Sequence, residues 1–417
     1  MFYLIQNKKV KIKKIALTIA MMISIIALTY VDAEAKLKEI KKTPNLTARS
    51  AAIYCNTTDE NVAEKNGDMR VNPYSITKLM TALVILENHN DLNDKVLISK
   101  EASEQEGSSM ELVEGEEVSV EELLYGLLIL SGNDAAYALA EYDSSISNFS
   151  NKMNEKAKDL GCINTHFSNP SGLKEDDHYT TANDFIKIAN AALDNKRIEK
   201  ITGTRKYLMR KTNKQEERAF KTHLDQLKDK KAGVISGKTG YWEDDDCSVA
   251  LRFNKNNMIL TVVLIGDQKS ERINDANNAF KFSESKVESV KVLKKDRPAK
   301  NVWIRNGKKT YIKAFACDDS TVYPKDGSIS STRIKVVKNK NAKAPLQKGD
   351  VVGKAKIYSD GKYMESVPIY VNENIASGWI MSGIYVSNVA TICMVLILLI
   401  IISVIVIYKS ARRGHHS

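Results

Sequence analysis

Pro73-Tyr-Ser-Ile-Thr-Lys-Leu-Met80 is the stretch from which the rest of this 417-residue chain can be read. It sets Ser75 three residues before Lys78. An apolar run (Leu79, Met80, Ala82, Leu83, Val84, Ile85, Leu86) follows at once. The run predicts a buried helix, and Pro73 suits the turn just before it. Residues three apart on a helix share a face. A hydroxyl and an amine would then sit one turn apart, at the end where the helix dipole is positive. That is a seat for a serine nucleophile with a lysine partner. Spacing alone does not single it out. Ser171/Lys174, Ser283/Lys286 and Ser359/Lys362 repeat it, and an exposed Ser and Lys in a first turn would look the same.

Outward from this helix, the chain divides by period. Before it, Ala51 to Asn56 and Asn61 to Lys65 predict an early strand pair. After it, Asn88 to Glu117 is polar and acidic, with the composition of surface loops. Ser119 and Glu122 have capping-box spacing ahead of an all-round apolar helix, Val120–Leu130. That helix stops at Ser131-Gly-Asn133, and a second helix begins with Asp134. Ser150–Leu160 and a segment capped by Thr181 predict two more helices. From about residue 203 the pattern changes to strands: Arg205–Arg210, Val234–Thr239, Cys247–Phe253 and Met258–Gly266, followed by a helix to about Lys286. Strands at both ends and helices between predict an α+β domain, its antiparallel sheet closed by pairing early strands with late ones.

The ends are of a different kind. A basic start, an apolar segment from Ile15 to Tyr30 and Ala33-Glu34-Ala35 have the layout of a secretory signal peptide, residues 1–35. Residues 36–288 would form the catalytic domain and 289–298 a Lys-rich linker. Short alternating strands over 299–375 predict a small all-β domain, a sandwich. Residues 389–408 carry no charge and are long enough for a transmembrane helix. The basic tail 409–417 would stay in the cytoplasm, leaving the body outside it and tethered to the membrane. The formal charge is +11, of which the lysines before residue 15 and Lys409, Arg412 and Arg413 leave +3 for the part between. Nothing there calls for nucleic acid. The five cysteines are scattered, so no metal site, cofactor or disulfide framework is expected.

Lys238-Thr239-Gly240 ends a predicted strand. Lys238 would supply a fixed positive charge and Thr239 a hydroxyl. Gly240 would let the strand backbone approach a substrate closely. Together they suit an extended peptide ending in a carboxylate, laid along the strand edge. Ser131 and Asn133 offer a second hydroxyl and an amide. If they face Ser75, Ser131 can relay a proton, and Asn133 can bind a carbonyl and orient Lys78. No histidine is needed.

S-x-x-K, S-x-N and K-T-G in this order are signatures of the serine penicillin-recognising enzymes. Pro73–Thr81, Gly107-Ser-Ser-Met110, Ser131–Ala136, Asn164–Leu173, His178-Tyr-Thr-Thr181 and Gly237–Tyr241 resemble the low-molecular-mass D-alanyl-D-alanine carboxypeptidases of the peptidase S11 family. The resemblance covers roughly 45–285. It extends through Ala344–Asp350 and Val367-Pro368 into that family's C-terminal domain. It implies the transpeptidase fold shared with β-lactamases, stem peptides ending in D-Ala-D-Ala as substrate, and covalent inhibition by β-lactams. Ser75 would be the nucleophile, Lys78 the general base and Ser131 the proton relay. Asn133, Lys238, Thr239, Gly240 and Tyr241 would bind substrate, with the N–H groups of Ser75 and Tyr241 as oxyanion hole. A free lysine titrates near ~10.4, so burial and the Lys238 charge would have to bring Lys78 down by about 3 pH units, roughly 4 kcal/mol.

Three departures stand out. Phe220–Asp225 lacks the family's Asn-rich sequence, Trp242–Asp246 is acidic and bulky where small residues are usual, and the C-terminal segment reads as a span rather than a surface helix. Trp242 is expected to narrow the entrance. Two other readings share the motifs. A class A β-lactamase would need a Glu-x-x-Leu-Asn segment between the second and third motifs, and none occurs there. A penicillin-binding wall scaffold would keep the fold with little turnover.

Overall fold

The computed structural model describes residues 44–340, 342–378 and 388–413. The expected signal peptide and residues 414–417 lie outside the described residues. The chain forms two compact units, one ending at Lys255 with Ile259–Val287, the other Asn256–Met258 with everything from Glu288.

The first unit is built on a five-stranded sheet. Its strands are β1 (Ser50–Cys55), β2 (Glu60–Lys65), β3 (Val234–Glu243), β4 (Asp246–Lys255) and β5 (Met258–Asp267), in the spatial order β2-β1-β5-β4-β3. The expected closure of early on late strands is present: β1 runs antiparallel to β5 from Ser50 opposite Ile265 to Cys55 opposite Leu260. The apolar run of β5 is buried at nearly every position, as a strand covered on both faces requires. Lys206–Met209, part of the strand expected at Arg205–Arg210, lies outside this sheet and pairs with Arg218–Lys221.

The helices that frame the site are α1 (Lys78–Asn88), α2 (Val120–Tyr125), α3 (Asn133–Asp143), α4 (Ile146–Asp159), α5 (Ala182–Asp194) and α6 (Arg272–Lys286); Lys100–Ser103 and Lys196–Thr202 are also helical. Helix α1 is buried at every position from Lys78 to Ile85, and α3, α4 and α5 pack around it. It is therefore the centre of the unit, as its unbroken apolar sequence predicts. Ser119 and Glu122 form the expected capping box, and Thr181 caps α5. The helix expected over Val120–Leu130 changes character halfway. After Tyr125 it widens into a π turn, Gly126–Leu130. A Cβ on Gly126 would lie 2.1 Å from Met110 Sδ, so a larger residue there would have to displace that side chain.

The second unit has its own core. Strands β6 (Pro298–Trp303), β7 (Tyr311–Ala316), β8 (Thr332–Lys338), β9 (Val351–Ser359) and β10 (Lys362–Val371) form an antiparallel sheet in the order β6-β7-β10-β9-β8. A two-stranded ribbon, Val290–Leu293 with Ser320–Val322, contributes to the same core. The expected sandwich is thus uneven. The expected linker 289–298 is also partly strand, because Val290 and Val292 alternate with lysines and pack while the lysines face out. The stretch expected to span the membrane falls within helix α7 (Asn388–Arg413), whose Ile, Leu and Val side chains are exposed from Ile392 to Ile407. The described side chains of α7, 392–407, make too short a stretch to cross a membrane, and among the described residues no other helix is long and apolar enough to do so.

Candidate active site

The turn before α1 carries the nucleophile candidate. Tyr74 holds a positive φ of 53°, which lifts the chain into a one-turn 3-10 helix, Tyr74–Thr77. The turn is braced from below. A Cβ on Gly172 would come within 2.0 Å of the Tyr74 carbonyl oxygen, so the segment Asn169–Leu173 can pass there only with glycine. Its own shape is held by Asn169 Oδ1, which accepts from the N–H of Ser171 and of Gly172. Thr81 Oγ1 donates to the Pro170 carbonyl (2.6 Å), and buried His178 meets Thr77 Oγ1 at 3.0 Å. Burial holds His178 down to about 3, so it is neutral.

Lys78 lies one turn after Ser75 and is wholly buried. Its Nζ is 2.9 Å from Ser75 Oγ, 2.8 Å from Asn133 Oδ1 and 2.6 Å from the Ser171 carbonyl oxygen. Burial above all, then the nearby Lys238 charge, pushes Lys78 well below the lysine range, against the opposing pull of Asp134. A neutral amine has two hydrogens and one lone pair. The Ser171 carbonyl and Asn133 Oδ1 can only accept, so they take the hydrogens. The lone pair is left for the hydroxyl of Ser75, the one partner able to donate. Asn133 is fixed in this orientation because its Nδ2 donates to the Glu106 carbonyl at 2.6 Å. Its neighbour Asp134 receives Ser109 Oγ and the N–H groups of Met110 and Leu112, which ties the loop after Glu106 to the start of α3.

Ser131 follows the π turn with φ 66°. Its Oγ accepts from Lys238 Nζ at 2.9 Å. Lys238 is buried on β3 and also donates to the Thr239 carbonyl. Burial and the Arg272 guanidinium push Lys238 down to about 7. The expected fixed charge is therefore a poised one. Gly240 brings β3 against the nucleophile turn: a Cβ there would lie 2.1 Å from Ser248 Oγ and 3.1 Å from both the Pro73 carbonyl oxygen and Ser75 N. What approaches closely at this glycine is the turn bearing Ser75. Ser248 Oγ donates to that same Pro73 carbonyl. The Tyr241 side chain is exposed, and its hydroxyl donates to Asp244.

The acidic loop after Gly240 is tied down. Trp242 stacks on Tyr74 (6.0 Å between centroids, 9° between planes), and Lys174 Nζ lies 5.2 Å from the centroid of the Trp242 ring. Asp246 accepts from the Tyr74 hydroxyl and pairs with Arg49, while Asp244 pairs with Lys269. All eight residues singled out in the sequence thus lie on the elements that meet here: Lys78 bonded to Ser75 and Asn133, Lys238 bonded to Ser131, and Thr239, Gly240 and Tyr241 following Lys238 along its strand. Sequence reading missed the Ser171 carbonyl, Gly172, Glu106 and Asp134, whose contributions are backbone or tertiary. It also missed Arg272 at the head of α6, whose Nε is buried without a hydrogen-bond partner. Its position directly after β5 was the available signal. Among the described residues no His, Cys, Asp or Glu cluster could hold a metal ion.

The chain matches the family described as D-alanyl-D-alanine carboxypeptidase over residues 37–269, and the penicillin-binding protein 5 C-terminal domain over 288–377. It is 33% identical to D-alanyl-D-alanine carboxypeptidase DacF of Bacillus subtilis, covering 85% of this chain and 93% of that one. Among solved structures it resembles penicillin-binding protein 5 from Haemophilus influenzae (TM-score 0.55, 27% identity, 81% of this chain, 99% of the other). It also resembles the Streptomyces K15 DD-transpeptidase (TM-score 0.55, 29% identity, 58% and 99%).

Proposed function

Because this chain belongs to the D-alanyl-D-alanine carboxypeptidase family, we propose a residue-by-residue mechanism in which Ser75 removes the terminal D-alanine of peptidoglycan stem peptides. The enzyme is a serine-type D-Ala-D-Ala carboxypeptidase of the penicillin-binding kind, and this reading stands over the β-lactamase and scaffold readings. One observation carries the mechanism: a fully buried lysine whose other two partners can only accept, so that its lone pair is directed at Ser75.

The substrate carboxylate binds Lys238, Thr239 and Arg272, which raises Lys238 back to its charged form. Lys78 takes the Ser75 proton as Oγ attacks the carbonyl between the two D-alanines. The N–H groups of Ser75 and Tyr241 hold the oxyanion. The proton passes from Lys78 through Ser131 to the leaving amine, and the C–N bond breaks. Water then attacks the acyl-enzyme with Lys78 again as base. A β-lactam follows the first half and remains on Ser75.

We further infer that residues 1–35 direct export and that α7 anchors the protein, with the catalytic unit outside the cytoplasm and 409–417 inside. The support is the basic start with its Ala-x-Ala site, and the uncharged run 389–408 followed by Lys409, Arg412 and Arg413.

Mass spectrometry for a penicillin adduct on Ser75, alongside D-alanine release from a stem-peptide mimic, tests the mechanism. Both are expected, and Ser75→Ala abolishes both. D-alanine release by that variant would overturn the assignment.

A further inference from the structure

The +3 left between the basic ends conceals a division. Residues 36–288 hold 35 Lys and Arg against 41 Asp and Glu, whereas residues 289–378 hold 19 against 8. The smaller stretch carries +11 and the larger −6.

Sheet register shows where part of that charge goes. Along β6 to β10, alternate residues such as Val302, Ile312, Ile357 and Ile369 are buried in the core of this unit. The other face of the sheet points outward. On it, Lys335 stands directly opposite Lys356, Arg333 opposite Tyr358, and Lys354 opposite Val337. Like charges directly opposite one another weaken a sheet, so folding alone does not account for Lys335 facing Lys356. Across the sheet, Trp303 pairs with Tyr311, the two being 39% and 63% exposed with ring centroids 6.2 Å apart. Among the described residues, no strand position on this face is acidic. Glu365 stands opposite Ile357, on the core side, where it receives Ser320 and Asn257. Asp296, on a loop, reaches the outward face, where the Tyr370 hydroxyl donates to it.

Lysines and arginines spread over a sheet, bordered by an exposed Trp–Tyr pair, match a surface of dense negative charge with an interfacial layer for amphipathic rings. Chain length favours a lipid surface over a soluble polyanion. Residues 379–387 separate the sheet's unit from α7, a reach of at most roughly 35 Å. We propose that the outward face of the β6–β10 sheet docks on an anionic phospholipid surface, the one in which α7 is anchored. This rests on the membrane reading of α7 given above.

Amine labelling of the full chain read by mass spectrometry tests it. The chain is reconstituted in phosphatidylcholine vesicles with and without phosphatidylglycerol. On anionic vesicles, labelling of Lys335, Lys354 and Lys356 is expected to fall at least about threefold and to recover in high salt, while Lys100 in the catalytic unit is unchanged. Equal labelling on both vesicles overturns the proposal. Equal protection by a soluble glycerol-phosphate polymer also overturns it, by assigning the face to a free polyanion. Flotation separates this from the anchor. A chain that floats with neutral vesicles is held by α7 whatever the labelling shows. A chain that floats only with anionic vesicles, and no longer does so as Lys335→Glu/Lys354→Glu/Lys356→Glu, keeps the docking face and refutes the anchor. A chain that floats with neither refutes both. The triple variant should release D-alanine in detergent at the unsubstituted rate.

Discussion

Lys78 and Lys238 are both buried, both depressed, and ask for opposite protonation states. Lys78 must be neutral to take a proton. Lys238 must be charged to hold a carboxylate. With Lys238 at about 7 in the free enzyme, raising the pH through that value removes the charge that binds substrate. The value of kcat/KM should therefore fall above about pH 7. Lys238→Arg keeps its charge there, so its alkaline limb should disappear from profiles taken up to pH 9. The overall rate should be lower, since a guanidinium does not reproduce the ammonium's bond to Ser131. The acid limb belongs to Lys78. Asn133→Asp places a carboxylate 2.8 Å from its Nζ, which favours the ammonium and should move that limb to higher pH in penicillin-acylation profiles. An unmoved limb would remove Lys78 from the role of base.

Two elements meet at Gly240, and the contact is steric. Gly240→Ala has no room between Ser248 and the nucleophile turn. The strand or the turn must shift, and a displacement of this kind should slow acylation of Ser75 by about 10²-fold in stopped-flow mixing with penicillin. Acylation at the unsubstituted rate would show that the turn is not held by β3. The cap on α2 is a contrasting case. Ser119→Ala removes the side chain that accepts from Glu122 N and should cost about 1 kcal/mol in denaturant unfolding. Sequence showed this cap because S-x-x-E before an apolar run has one local meaning. It did not show that α2 ends at Tyr125 and continues as a π turn. Nothing in Leu-Leu-Ile-Leu signals a wider turn; Met110, arriving from another part of the chain, occupies the space beside Gly126.

The whole molecule consists of two units with separate cores. Separate cores predict two calorimetric transitions, of which penicillin should raise only the one belonging to the catalytic unit. A single transition shifted as a whole would show the units to be thermodynamically coupled. The charge division falls on the same boundary. A total of +11 over the chain conceals an acidic catalytic unit and a strongly basic β unit, which only counting by unit reveals.

By itself the sequence determined the chemistry of the site and the order of its parts. S-x-x-K, S-x-N and K-T-G are short, local patterns, and the apolar run after Lys78 places that helix in the core whatever surrounds it. The tertiary structure decided what those residues do to one another. Burial and the Lys238 charge depress Lys78, the Ser171 carbonyl and the Asn133 amide leave its lone pair for Ser75, and burial with the Arg272 guanidinium poises Lys238. These groups come from distant parts of the chain. Their effect depends on burial and direction, which are properties of the packed chain and have no local signature in it.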